Sequence, residues 1–122
     1  MAREEILAIA KDLADKLSNS DEYKALKQAE ADVKAHAAAE IMLKDLEAKQ
    51  KACQEPGLSE EELKKRHDDL MKTLELVSHN PYVSKLLTAQ MQLGQLWVEI
   101  QKILVEAIGI NSERLGEPPD ES

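Results

Sequence analysis

One stretch limits what this chain can fold into more than any other: residues 80–109, NPYVSKLLTAQMQLGQLWVEIQKILVEAIG. Asn80 is a good helix N-cap, because its side-chain oxygen accepts a free backbone N–H, and Pro81 suits the first helical position, where a missing N–H costs nothing. Gly109 closes the segment, since glycine takes the left-handed conformation that ends a helix without a Cβ penalty. Between these signals Val83, Leu86, Gln90, Leu93, Trp97, Ile100, Leu104 and Ala107 recur at alternating gaps of three and four, which makes a seam along one helix. A second row, Leu87, Met91, Gly94, Val98 and Val105, lies beside it. A third, Ala89, Leu96, Ile103 and Ile110, flanks its other side. Only Lys85, Glu99, Lys102 and Glu106 carry charge between Tyr82 and Ile108. A helix of this length spans roughly 40 Å, and one so apolar must be nearly surrounded by protein. It is expected to be the central helix of a bundle and a subunit interface.

The rest of the chain reads as further helices. Ile6, Ala10, Leu13 and Leu17 form an amphipathic stripe, with Glu4 and Glu5 in the first turn, where they favour the helix dipole. The segment Ser18-Asn19-Ser20-Asp21-Glu22 breaks it, and either serine can cap the next helix. Tyr23, Leu26, Ala29 and Val33 continue on one face. Near His36 the apolar phase rotates slightly, so either a continuous helix or a short kink fits, because alanines 35 and 37–39 force no break. Glu55-Pro56-Gly57 ends the helix. Ser59 and Glu62 form a capping box for a helix whose seam is read as Leu63, His67, Leu70, Leu74 and Val77. The short connection implies an antiparallel hairpin between residues 42–54 and 60–77. Residues 1–110 are therefore expected to be one helical domain, and residues 111–122, rich in Gly, Pro and acid, a disordered tail.

Composition narrows the function classes. Tyr23, Tyr82 and Trp97 are the only aromatic residues among 122, and a compact core normally uses more aromatic volume. An elongated bundle that shares Leu, Ile, Val and Met with a second copy needs less. The formal net charge is -8, which argues against nonspecific binding to nucleic acid or an anionic membrane. Cys53 is the single cysteine, so an internal disulfide is impossible. The charged N-terminus does not resemble a secretion signal, and no apolar run reaches membrane-spanning length. A reducing cytoplasm is the expected compartment.

No residue constellation points to catalysis, a cofactor or a metal. His67 sits on a core seam and reads as a half-buried histidine with a polar partner, in preference to a ligand or a pH sensor. The pairs His36/Glu40 and Glu75/His79 share helical faces but lack the Glu-x-x-His spacing of di-iron bundles. Cys53 has no fixed basic partner and reads as an incidental thiol. No phosphate-binding glycine loop, nucleophile elbow or paired-cysteine zinc pattern occurs. Trp97 reads as a core residue or as an anchor at a shared interface, where Trp is enriched. Gly94, one turn earlier, leaves room for a close backbone or for the indole of another chain.

The order of helices and breaks resembles the YlbF/YmcA competence-regulator family, including its YheA-like branch. The resemblance is carried by Ser20-Asp21-Glu22-Tyr23-Lys24-x-Leu26-Lys27, Asp32-Val33-Lys34-Ala35, the helix ending at Gln54-Glu55, His79-Asn80-Pro81-x-Val83 and Leu96-x3-Ile100-x-Lys102-Ile103-Leu104. It covers about residues 3–109. It implies a small all-helical cytoplasmic bacterial protein that self-associates. It also implies an adaptor that joins protein partners, among them family paralogues and a membrane-bound endoribonuclease, in mRNA processing that affects competence, sporulation and biofilm formation. Some members contribute tail cysteines to an iron–sulfur cluster. The tail here has no cysteine, so no cluster is carried over.

The sequence thus predicts an all-α, elongated helical bundle with a long antiparallel hairpin, self-associating through the last helix. Leu86, Leu87, Leu93, Gly94, Trp97, Ile100 and Leu104 are the expected interface. The expected function is a non-enzymatic regulatory adaptor without cofactor, direct nucleic-acid contact or membrane insertion. The competing class is a chaperone-like helical clamp for apolar clients.

Overall fold

The computed structural model describes residues 2–109. They form five α-helices: α1 Arg3–Ser18, α2 Asp21–Lys34, α3 Ala37–Ala52, α4 Glu60–Val77 and α5 Pro81–Ile108. No strand occurs among the described residues. The expected acidic tail, with Ile110 of the third apolar row, lies outside them.

Local chemistry sets most boundaries. Ser20 rather than Ser18 caps α2, its Oγ accepting from Tyr23 N at 3.1 Å, while Ser18 is the last residue of α1. Ser59 Oγ accepts from Glu62 N at 3.1 Å and opens α4. Asn80 Oδ1 accepts from both Tyr82 N and Val83 N, at 3.0 and 3.2 Å, ahead of Pro81 at the start of α5. Each such cap contributes about 1 kcal/mol by satisfying a donor that the helix leaves free. The turn after α3 uses Gly57 at φ 78°, and α5 closes at Gly109 with φ 67°. Both are left-handed positions that a side chain rarely tolerates.

The chain runs out through α2 and α3 and back through α4 and α5. On one arm α3 packs against α4; on the other α2 packs against α5. Facing residues advance in opposite directions along the two halves of this helical hairpin. Arg66 meets the Ala52 carbonyl, Lys49 meets Asp69, and His36 stacks on Tyr82. Farther along, Asp21 and Glu22 line one groove with Leu96 and Glu99. The core lies where the two arms join. It consists of Ala29 and Val33 from α2, Ala39 and Leu46 from α3, Val77 from α4, and Val83, Leu86 and Ala89 from α5. Three of the eight are alanines, which let the helix axes approach closely. The fully buried leucines and valines each contribute roughly 1.5–3 kcal/mol through loss of contact with water.

The open alternative near His36 resolves as a break. Residue 36 is extended, at φ -126° and ψ 106°, and α3 restarts at Ala37. His36 Nδ1 lies 2.7 Å from the Asp32 carbonyl oxygen, and its ring stacks on Tyr82 with centroids 3.7 Å apart and planes 15° from parallel. Alanines permit a helix through this point; the stack and the change of packing partner, from α5 to α4, bend it.

The seam on α4 is rotated from the sequence reading. Its inner row is Arg66, Leu70, Thr73 and Val77 with Leu74 beside it, and His67 is exposed rather than half-buried. Leu63, at the start of the expected seam, is also exposed. The reason is polar. Arg66 Nη1 donates to the Ala52 carbonyl at 2.9 Å and lies 3.0 Å from Glu55 Oε2. A cation at the last turn of α3 satisfies a free carbonyl there and opposes the negative end of the helix dipole. Lys49 Nζ donates to Thr73 Oγ1 at 3.3 Å and lies 3.2 Å from Asp69 and 3.7 Å from Asp45. This polar clasp accounts for Thr73 as the one buried polar side chain among the described residues.

Candidate interaction surface

The helix expected at the centre of the bundle is covered over only half its length. The buried residues of α5 are Val83, Leu86 and Ala89. Leu86 is 2% exposed and belongs to the chain's own core, with half-buried Leu87 packed against it. Leu93 and Ile100 are half-buried on the side facing α2. Gly94, Trp97 and Leu104 are exposed, Trp97 by 52% and Leu104 by 55%. The expected interface set therefore divides. Its first members hold α5 to its own chain, and its later members lie on a bare apolar face.

That bare face begins at Met91 and continues through Gly94, Val98 and Ile108, while exposed Ile103 lies on the other side of the helix. A Cβ built on Gly94 meets no atom within 4 Å. Around it Met91, Gly94, Gln95, Val98 and Glu99 form a shallow, mostly apolar hollow. A contiguous exposed patch of large apolar side chains is unusual for a monomer and is the property of a binding surface. Trp at its centre supplies the largest single apolar area.

Three features lay outside the sequence reading. The first is α1, which has no buried residue and touches α2 near the connecting turn without extended contact with any other helix. Its Ile6, Leu7 and Ile9 are about half exposed or more. Of these only Ile6 belonged to the stripe read from the sequence, and periodicity marks an apolar face without saying what covers it. The second is the stack of His36 on Tyr82. Its signal was the rotation of the apolar phase at residue 36. The third is a groove of about 730 Å³ between α2 and α5, floored by Ala25, Ala29 and Ala89 and rimmed by Gln28, Asp32 and Lys85.

Electrostatics within the fold are structural. The Lys49 ammonium is held above its usual pKa chiefly by its hydrogen bond to Asp69, against partial desolvation, with Asp45 adding attraction. Lys27 is raised by its hydrogen bond and charge pairing with Glu30, 3.4 Å away, and lies 5.4 Å from the centre of the Tyr23 ring. Cys53 is half-buried at the C-cap of α3. Among the described residues no group of three or more His, Cys, Asp or Glu is gathered so that it could hold a metal ion. Nor is any helix among them long and apolar enough to cross a membrane.

These elements define an all-helical hairpin bundle whose most prominent free surface is an apolar helix face. The chain belongs to the YlbF/YmcA family: the family described as "control of competence regulator ComK, YlbF/YmcA" matches residues 6–109. That description is of a regulatory role. Among its relatives is a UPF0342 protein of Shouchella clausii, 31% identical over 118 residues, covering 92% of this chain and 93% of the relative. A UPF0342 protein of Caldicellulosiruptor saccharolyticus is 28% identical over 109 residues, 88% of this chain and 91% of its own length. One from Staphylococcus epidermidis is 29% identical over 102 residues, 81% and 88% of the two chains.

Proposed function

We propose that this protein is a regulatory adaptor that acts through protein–protein contact in the cytoplasm and catalyses nothing itself. The observation that carries the reading is the bare second half of α5, centred on Trp97 and continuous with a helix whose first half anchors the core. A rigid helix that is fixed at one end and apolar at the other is suited to helix-to-helix docking. The same face, through Gly94, Trp97 and Leu104 with half-buried Leu93 and Ile100 at its edge, is the proposed homo-oligomer contact. By family resemblance the adaptor works with paralogues and an endoribonuclease in mRNA processing linked to competence, sporulation and biofilm formation.

The test is capture of the tagged protein from its native cell extract, with nuclease added, followed by mass spectrometry. Recovery of family paralogues or an endoribonuclease, lost with Trp97→Glu, is the expected result. Recovery of the protein alone overturns the adaptor reading. A chaperone-like clamp is favoured by a separate observation, the bare apolar residues Leu63, Met71 and Leu76 on α4. It predicts suppressed aggregation of an unrelated unfolded protein.

A further inference from the structure

At the end of the molecule where α1 leaves α2, two apolar faces are bare and do not meet. One is the Ile6, Ile9 and Leu13 face of α1; the other is the Trp97, Leu104 and Ile108 face of α5. We infer that α1 is an intersubunit element: in a self-associated pair, α1 of one copy lies along residues 97–108 of α5 in the second copy. This rests on the association through α5 proposed above and names the element that completes it.

The register of the hairpin supports the assignment. Residue 52 faces 66, 49 faces 69 and 36 faces 82. Continued in the same antiparallel register, residues 100–108 would face residues 10–18, the second half of α1. The chain's own α1 does not occupy that place. Ser18 Oγ donates to the Ala14 and Asp15 carbonyls, at 3.1 and 3.0 Å. Asn19 Nδ2 donates to the Asp15 carbonyl at 2.8 Å, and Ser20 Oγ donates to the Leu17 carbonyl at 2.6 Å. Together with the Ser20 cap on α2 these bonds stitch the turn and hold the direction in which α1 departs. The place beside α5 is thus left empty by a turn with its own hydrogen bonds, and α1 carries away an apolar stripe of matching length. At 1.5 Å per residue α1 is about 24 Å long and residues 97–108 about 18 Å. Fully covered, the exposed fractions of these six side chains amount to roughly 600 Å² per chain, somewhat under the about 800 Å² that each partner contributes to a standard stable interface.

The experiment uses the full chain and the double variant Ile6→Asp/Leu13→Asp in sedimentation equilibrium, with circular dichroism to follow the fold. No residue of α1 is buried, so helix content and melting of the monomer stay close to wild type. The dissociation constant of the self-associated form is expected to rise by at least about 30-fold. A second measurement separates contact within a chain from contact between chains. In a Cys53→Ser background, the double variant Leu13→Cys/Leu104→Cys is prepared in two mass labels, the two are mixed and oxidised, and mass spectrometry reads whether each cross-link lies within one chain or joins two. The expected product joins two different chains. An unchanged dissociation constant in an oligomeric protein overturns this inference while the α5 reading stands. So does closure of the double cysteine variant within one chain. A full chain that is monomeric at every concentration overturns both.

Discussion

Replacing Gly94 by alanine separates what this residue does inside one chain from what it does between chains. Within the chain the position is mid-helix and exposed, and an added Cβ meets nothing within 4 Å. No steric cost therefore offsets the gain from restricting the unfolded backbone and improving helix propensity, about 1 kcal/mol for Gly to Ala in a helix interior. For a chain of this size that raises the melting temperature by roughly 3–6 °C. Between chains the sign reverses. A glycine beside Trp97 allows a second backbone or indole to approach the helix, and a methyl group holds it off. The assay is thermal unfolding by circular dichroism across a dilution series, with light scattering on the same samples. Gly94→Ala is expected to melt higher than wild type where the protein is monomeric, with the advantage shrinking as concentration rises. A variant that melts at or below wild type under monomeric conditions refutes the reasoning, because it means the position is already packed within one chain.

Other substitutions probe separate parts of the argument. Trp97→Glu is expected to leave helix content unchanged and reduce the mass seen by light scattering, whereas Leu93→Glu, half-buried, lowers the melting temperature as well; an unchanged mass in both removes α5 from the interface. Leu46→Ala, at a site 1% exposed in the core, is expected to cost about 2–5 kcal/mol in urea unfolding. A cost below about 1 kcal/mol places the core elsewhere. Lys49 has a folded pKa raised above its usual value near 10.5, chiefly by Asp69. Its contribution is thus fully present below that value and lost as pH rises through the folded pKa. The urea midpoints of wild type and Lys49→Met should differ at neutral pH and converge above about pH 10.5. A gap that persists in strong alkali removes the clasp as its cause.

Much of the molecule is determined within short windows of sequence. The ends of α5 follow from Asn80, Pro81 and Gly109, and the start of α4 from Ser59, because capping depends on residues within one turn. The turn at Pro56-Gly57 made α3 and α4 neighbours, since so short a link leaves two helices little choice but to run antiparallel. The helical class and the apolar rows of α5 follow from spacing alone, because a side chain's place around a helix is fixed by its number. What spacing does not contain is the identity of the neighbour. The break at His36 arises because α2 packs on α5 while α3 packs on α4, and Tyr82 offers its ring at the point between them. The rotation of α4 arises because Arg66 reaches a free carbonyl of α3, which turns Leu63 and His67 outward. Periodicity marked Leu86 and Leu104 as equivalents on one seam, yet one lies in the core and the other in water. Only the tertiary structure decided that, because α2 is shorter than α5 and a stitched turn carries α1 away from the remainder.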